Sequence, residues 1–245
     1  LAEHLLELIN LHDASNIAAV IVEPMSGSAG VVVPPHGYLA RLREICTAHD
    51  ILLIFDEVIT GFGRCGANTG AAAFGVVPDM INVAKQLTNG AVPMGAVVVT
   101  EAIYDAFMTS DLPEHAIELP HGYTYSGHPV ACAAALAALD VFERDNLAQR
   151  AGAVAVDFER LIHELRGSPH VVDIRNYGLA GAIQLAPRDG DPIIRPYEVG
   201  LAMWQAGFYV RWGGDTLQFG PPFESPVSVL AEMFDRLGTE LHSLK

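Results

Sequence analysis

The sequence predicts an α/β chain built on a mostly parallel sheet and followed by a small α+β C-terminal domain. Short apolar runs alternate with segments of helical spacing, the pattern of βαβ units. Three early runs stop at Glu23, Asp56 and Lys85, placing ionisable groups along the edge where open α/β sheets bind ligands. Beyond about residue 145 strands and helices alternate in shorter stretches, so domains are expected at 1–145 and 146–245.

Leu5, Leu6, Leu8 and Ile9 open the chain in a helical pattern, and with Leu1 as first residue the sequence reads as a piece of something longer. Residues 17–23 form a continuous apolar run ended by Pro24, as in a strand buried on both faces. A Gly- and Ser-rich loop follows at 25–35, then helical spacing at Leu39, Leu42, Ile45 and Cys46, then a strand at 51–55. Residues 56–78 read as one long glycine-punctuated loop, and 80–84 as a short strand leading to Lys85. A strand at 95–100 and a helix at 101–108 precede an irregular stretch at 111–127. Helices are predicted at 130–144 and 147–165, strands at 171–175, 180–185, 208–212 and 216–219, and helices at 197–205 and 226–244.

With 51% apolar residues the chain is globular, and a formal charge of −15 argues against nucleic acid, because phosphate binding needs clustered bases. Fourteen Lys and Arg include only two lysines, Lys85 and Lys245, so Lys85 is easy to single out. Cys46, Cys65 and Cys132 are widely spaced and suggest neither a disulfide framework nor a metal site; a reducing cytoplasm is expected. No apolar run reaches the length of a membrane span, so no membrane partner is expected.

Gly61-Phe-Gly-Arg-Cys-Gly66 matches the dinucleotide pattern but lacks its context, since Asp56 and Glu57 intervene after the strand and Asp79 precedes its own strand. The run ending in Asp56-Glu57 resembles a Walker B strand, yet neither lysine has a phosphate-binding glycine loop. Lys85 has two readings: an ion pair with Asp56 or Asp79, or a desolvated amine that forms a Schiff base with an aldehyde. An amine and a carboxylate one strand apart are the parts that pyridoxal phosphate chemistry uses, one for the aldehyde and one for the ring nitrogen.

The pattern Ile54-Phe-Asp-Glu-Val58, Gly61-Phe-Gly-Arg64, Gly66, Pro78-Asp79, Ala84-Lys85, Gly90 and Pro93-x-Gly95 resembles the class III (fold type I) pyridoxal-phosphate aminotransferases. The likeness runs from Glu23-Pro24 through Tyr125-Ser-Gly-His-Pro129 to the final helix. Segments 26–30, 85–90, 120–125 and 209–220 look most like the omega-amino-acid:pyruvate (β-alanine:pyruvate) branch. The resemblance implies the C-terminal part of a large three-layer cofactor-binding domain plus the small domain, with the family's N-terminal phosphate loop and first strands outside this chain.

It also implies roles. Lys85 holds the pyridoxal phosphate aldehyde as an imine and shuttles the substrate proton, Asp56 pairs with the pyridinium nitrogen, and Val58 packs on one ring face. Thr124 reaches the cofactor phosphate of a neighbouring subunit, so a homodimer or higher homo-oligomer is implied. Glu23 matches a strand-end glutamate near the site, with loop-holding as its structural alternative, and Arg64 is open to a loop-locking ion pair. Arg211 matches the arginine that binds the carboxylate of pyruvate or alanine, a task suited to a bidentate guanidinium.

The ornithine and γ-aminobutyrate enzymes pair a glutamate with an arginine where this chain has Ser28 and Gln218. The expectation is therefore transamination from an omega-amino acid such as β-alanine, or an amine, to pyruvate, the partners being a small amino donor and a keto acid. Within the family the rivals are a 2-oxoglutarate-dependent aminotransferase or an aminomutase. A non-catalytic fragment that keeps a dimer surface is the reading from another class.

Overall fold

The computed structural model describes residues 1–109, 112–113 and 115–244. Of the predicted irregular stretch, Asp111 and Glu114 lie outside the described residues, and the rest contains neither helix nor strand.

The first sheet follows sequence order: β1 (Ala19–Val22), β2 (Leu52–Asp56), β3 (Met80–Val83) and β4 (Ala96–Val99). β1 pairs parallel with β2 and β2 with β3, while β4 returns antiparallel to β3. Helices α1 (His4–His12) and α2 (Tyr38–Ala48) cover one face, where Leu39, Leu42, Ile45, Leu53 and Phe55 form a buried core. Side chains alternate between faces along each strand, and the register puts Ile21, Ile54, Met80 and Val99 on the other face, together with Asp56, Asn82 and Val97.

That second face is open: Ile21 is 59% and Val97 62% exposed. The expectation that the first strand is buried on both faces is thus corrected, because no described element packs over its outer side.

Residues 56–78 are not all loop. Gly70–Phe74 forms the short helix α3, capped by the Thr69 hydroxyl accepting from Ala72 N and closed by Gly75 in the left-handed conformation. Glu57, 1% exposed, accepts hydrogen bonds from the amides of Gly70 and Ala71 and from the Thr60 hydroxyl. A Cβ on Gly70 would meet Thr60 Oγ1 at 2.8 Å, so only glycine lets the helix start reach this carboxylate. The acid beside Asp56 is a structural anchor for the loop that follows it.

After α4 (Glu101–Met108) come α5 (Pro129–Arg144) and α6 (Leu147–Glu164), the former opening on a proline where its missing N–H costs nothing. The second sheet is antiparallel in the order β5 (Val171–Tyr177), β6 (Ala180–Leu185), β8 (Thr216–Phe219), β7 (Arg211–Gly213). α6, α7 (Ile194–Gln205) and α8 (Val227–Ser243) bury Phe158, Ile162, Met203, Phe234 and Leu237 against Ile183, Leu185 and Leu217. The predicted strand at 208–212 is corrected to Arg211–Gly213: Phe208 N instead closes α7 by donating to Met203 O, and Val210 turns into the core.

Candidate active site

Glu23 follows β1 directly, Asp56 ends β2, and Lys85 comes two residues after β3. The three adjacent parallel strands therefore bring these residues to one edge. Lys85 opens a 3₁₀ turn (Lys85–Thr88) and has φ +48°, the left-handed region that a non-glycine residue enters at a cost of roughly 1 kcal/mol. The turn is held from behind, where Leu87 packs with Val83 and with Ala135 of α5. A strained residue on a braced turn, carrying the first of only two lysines, marks a functional position.

The ion-pair reading of Lys85 is not realised. Asp79 is engaged by Arg43 at 2.7 Å and by the Leu53 amide at 2.7 Å, while Asp56 Oδ1 accepts from Val58 N at 3.1 Å. Among the described residues neither acid bonds Lys85. Nor is the amine desolvated by this chain alone, for Lys85 is exposed.

Lys85 and Val58 instead open into a cavity of about 610 Å³ between the two sheets, within the range of small-molecule sites. Arg64, Tyr209, Arg211, Gln218 and Ser28 line the same space, with apolar walls from Val31, Ile59, Phe219 and Met233. The lining contains three cationic side chains, Lys85, Arg64 and Arg211, and no carboxylate. In a chain of net charge −15, that local reversal suits an anionic ligand.

Arg211 stands opposite Gln218 in the β7–β8 ladder, so both side chains project from one face. It is exposed and, among the described residues, has no hydrogen-bond or ion-pair partner. Glu23 is occupied: Ser26 Oγ donates to one oxygen at 2.9 Å and Gly27 N to the other at 3.1 Å, folding the loop that carries Ser28. Thr124 is not in the cavity; it lies on an exposed segment lining a separate recess with Pro93, Met94 and Tyr123. Sequence reasoning missed Ile59, Tyr209 and the α8 residue Met233, because apolar spacing in a loop or helix does not tell a core wall from a cavity wall.

The donor set fits pyridoxal phosphate: a lysine with no salt-bridge partner among the described residues and a guanidinium line the cavity, while Asp56, itself outside the lining, ends β2 two residues before the lining residue Val58. A family profile described as class-III aminotransferase matches residues 1–239. The chain belongs to the class III aminotransferases.

It is 66% identical over 244 residues to the beta-alanine–pyruvate aminotransferase of Pseudomonas aeruginosa, and 62% identical to the omega-amino acid–pyruvate aminotransferase of Pseudomonas putida. Each alignment takes in 100% of this chain and 54% of the relative, so the chain spans about half the length of these class III proteins. A solved amine transaminase from an uncultivated Pseudomonas species, in its PLP-bound form, superposes with a TM-score of 0.89 at 39% identity, covering 96% of this chain and 54% of that one. A transaminase obtained by ancestral reconstruction superposes at 0.91 with 35% identity, over 99% of this chain and 55% of its own. This chain therefore has the fold of the matching half of these solved transaminases.

Proposed function

We propose that the full-length protein is a pyridoxal-phosphate-dependent aminotransferase that moves an amino group from an omega-amino acid such as β-alanine, or from an amine, to pyruvate. The observation that carries this reading is the shared cavity, which Lys85 and Arg211 line together with no carboxylate in its lining, neither of them held by a salt bridge among the described residues. The names of the Pseudomonas relatives supply the substrate class.

When bound, pyridoxal phosphate supplies an aldehyde and an electron-withdrawing pyridinium ring. Lys85 would hold the aldehyde carbon, Asp56 the ring nitrogen and Val58 one ring face. Glu23 supports the cofactor site through the loop it folds. Thr124 of the partner subunit would reach the phosphate, which fits its place outside its own cavity and makes the working unit a homodimer. The expected compartment is the cytoplasm.

Lys85 Nζ would act as the general base and acid, holding the proton taken from the substrate carbon that bears nitrogen. Arg211 binds the carboxylate of pyruvate or alanine through its planar fork, orienting that carbon toward Lys85. Val31, Ile59, Phe219 and Met233 exclude water, which strengthens both interactions.

Reconstituting the full-length protein with pyridoxal phosphate and following β-alanine with pyruvate tests the reading. Lys85→Ala is expected to remove the cofactor's lysine-bound visible band and to lower turnover by at least about 10²-fold. Normal turnover by that variant would overturn the assignment.

A further inference from the structure

Arg64 was open to a loop-locking ion pair, but the structure gives it a different role. No carboxylate lies within salt-bridge distance among the described residues. Instead Nη1 donates to two main-chain carbonyls, Leu179 O at 2.9 Å and Pro221 O at 2.7 Å, which lie 115 and 157 residues further along the chain. The guanidinium carbon stands 4.7 Å from the centroid of the Phe223 ring, a cation–π distance. The backbone joins in, because Leu179 N donates to Arg64 O at 3.0 Å.

One residue of the first sheet's loop is thus bound to the entry of β6 and to the exit of β8. The fit is close. Gly178, with φ +56°, would drive a Cβ into Arg64 O and the Cys65 backbone, so only glycine allows the approach. Burial pushes the Arg64 guanidinium down to about 10, still far enough above neutrality to keep its charge.

The geometry matters because of what stands on either side. Val58 and Ile59 precede Arg64 on its loop, Gly220 and Pro221 follow β8, and β8 carries the ladder to Arg211. All line the one cavity. Its width between the Lys85 rim and Arg211 therefore depends on how firmly that loop is docked on the second sheet.

We propose that Arg64 is a positioning residue that sets the separation between Lys85 and Arg211, and so governs how substrates bearing a carboxylate are held. The inference rests on the transaminase reading above. A carboxylate-bearing substrate must satisfy both ends of the cavity at once, whereas a monoamine needs only the Lys85 end. A misplacement of about 1 Å costs on the order of 10²-fold in a two-point site.

The test uses the full-length, cofactor-loaded protein with Arg64→Met. Single-turnover half-reactions are measured with alanine and with a monoamine lacking a carboxylate, and backbone hydrogen exchange is followed at residues 178–182 and 209–213. The expected result is at least about a tenfold weaker half-saturation for alanine, less than about twofold change for the monoamine, and faster exchange in both segments. Equal losses for the two substrates would reduce Arg64 to a stability element, and unchanged exchange with unchanged saturation would remove the clamp altogether. Should Arg64→Met fail to fold, Arg64→Lys, which keeps the charge and loses the planar fork, is judged by the same two measurements. If the unsubstituted protein transaminates nothing, the function proposed above fails, and the exchange data alone decide the clamp.

Discussion

The side-chain amide of Gln218 donates to the main-chain carbonyl of Ser28 at 3.0 Å, joining positions 190 residues apart. Arg175 reinforces the junction by donating to Gly30 O at 2.8 Å, and Gln218 is also the ladder partner of Arg211. The two positions that the resemblance matches to a glutamate–arginine pair are thus neighbours in this chain, and both are neutral. Arg211 consequently has no fixed anion beside it in this loop.

Under the proposed function, pyruvate is the expected acceptor, ahead of 2-oxoglutarate. Building the charged pair with Ser28→Glu and Gln218→Arg should shift the ratio of kcat/KM values toward 2-oxoglutarate by about tenfold. Steady-state rates with both acceptors measure this, and an unshifted ratio would separate the pair from acceptor choice.

Arg211→Met removes one charge-assisted fork, about 1.5–3 kcal/mol of binding, so KM for pyruvate should rise roughly 10- to 100-fold. Because the Arg211 side chain is exposed and has no hydrogen-bond or ion-pair partner among the described residues, thermal or denaturant unfolding should place the variant within about 0.5 kcal/mol of the parent. A large loss of stability would show that the arginine is structural.

Glu57→Ala leaves the amides of Gly70 and Ala71 and the Thr60 hydroxyl facing a dry space. A loss of about 3 kcal/mol in urea unfolding is expected, with local proteolysis appearing first between residues 61 and 75. Asp56→Ala should cost far less stability, since among the described residues its carboxylate bonds only the nearby Val58 amide, yet under the proposed function it should abolish turnover. The contrast separates two adjacent acids that the sequence presents as a pair.

Burial pushes the Cys65 thiol up to about 12, and Cys46 is fully buried with its thiol also raised. Cys132 is only partly covered. Brief treatment with iodoacetamide at pH 8 should alkylate Cys132 in the folded protein, with Cys46 and Cys65 reacting only after unfolding. Peptide mass spectrometry reads the order directly, and early labelling of Cys65 would contradict the packing around the Arg64 loop.

Much of the architecture was legible because it is local. Apolar runs of strand length, helical spacing and proline or glycine stops are set by neighbours within a few residues, and strands and helices appeared close to where those signals fell. Two of the misreadings share one cause. Gly70–Phe74 is too short for a periodic signal and is capped by Glu57 from 13 residues away; residues 208–210 have strand-forming side chains, but Phe208 N bonds back to Met203 O and Val210 packs into the core.

By itself the sequence determined the family, through a long motif of glycines, prolines and the Asp56 and Lys85 positions, and with it the residues worth testing. Only the tertiary structure decided what those residues touch: that Lys85 pairs with neither acid, that both oxygens of Glu23 are spent on the loop, that Arg64 bonds carbonyls of the second sheet, and that Arg211 shares a cavity with Lys85. The physical reason is separation along the chain. Motif and periodicity report interactions within one element or loop, whereas the hydrogen bonds and cavity walls that make this site join segments more than a hundred residues apart.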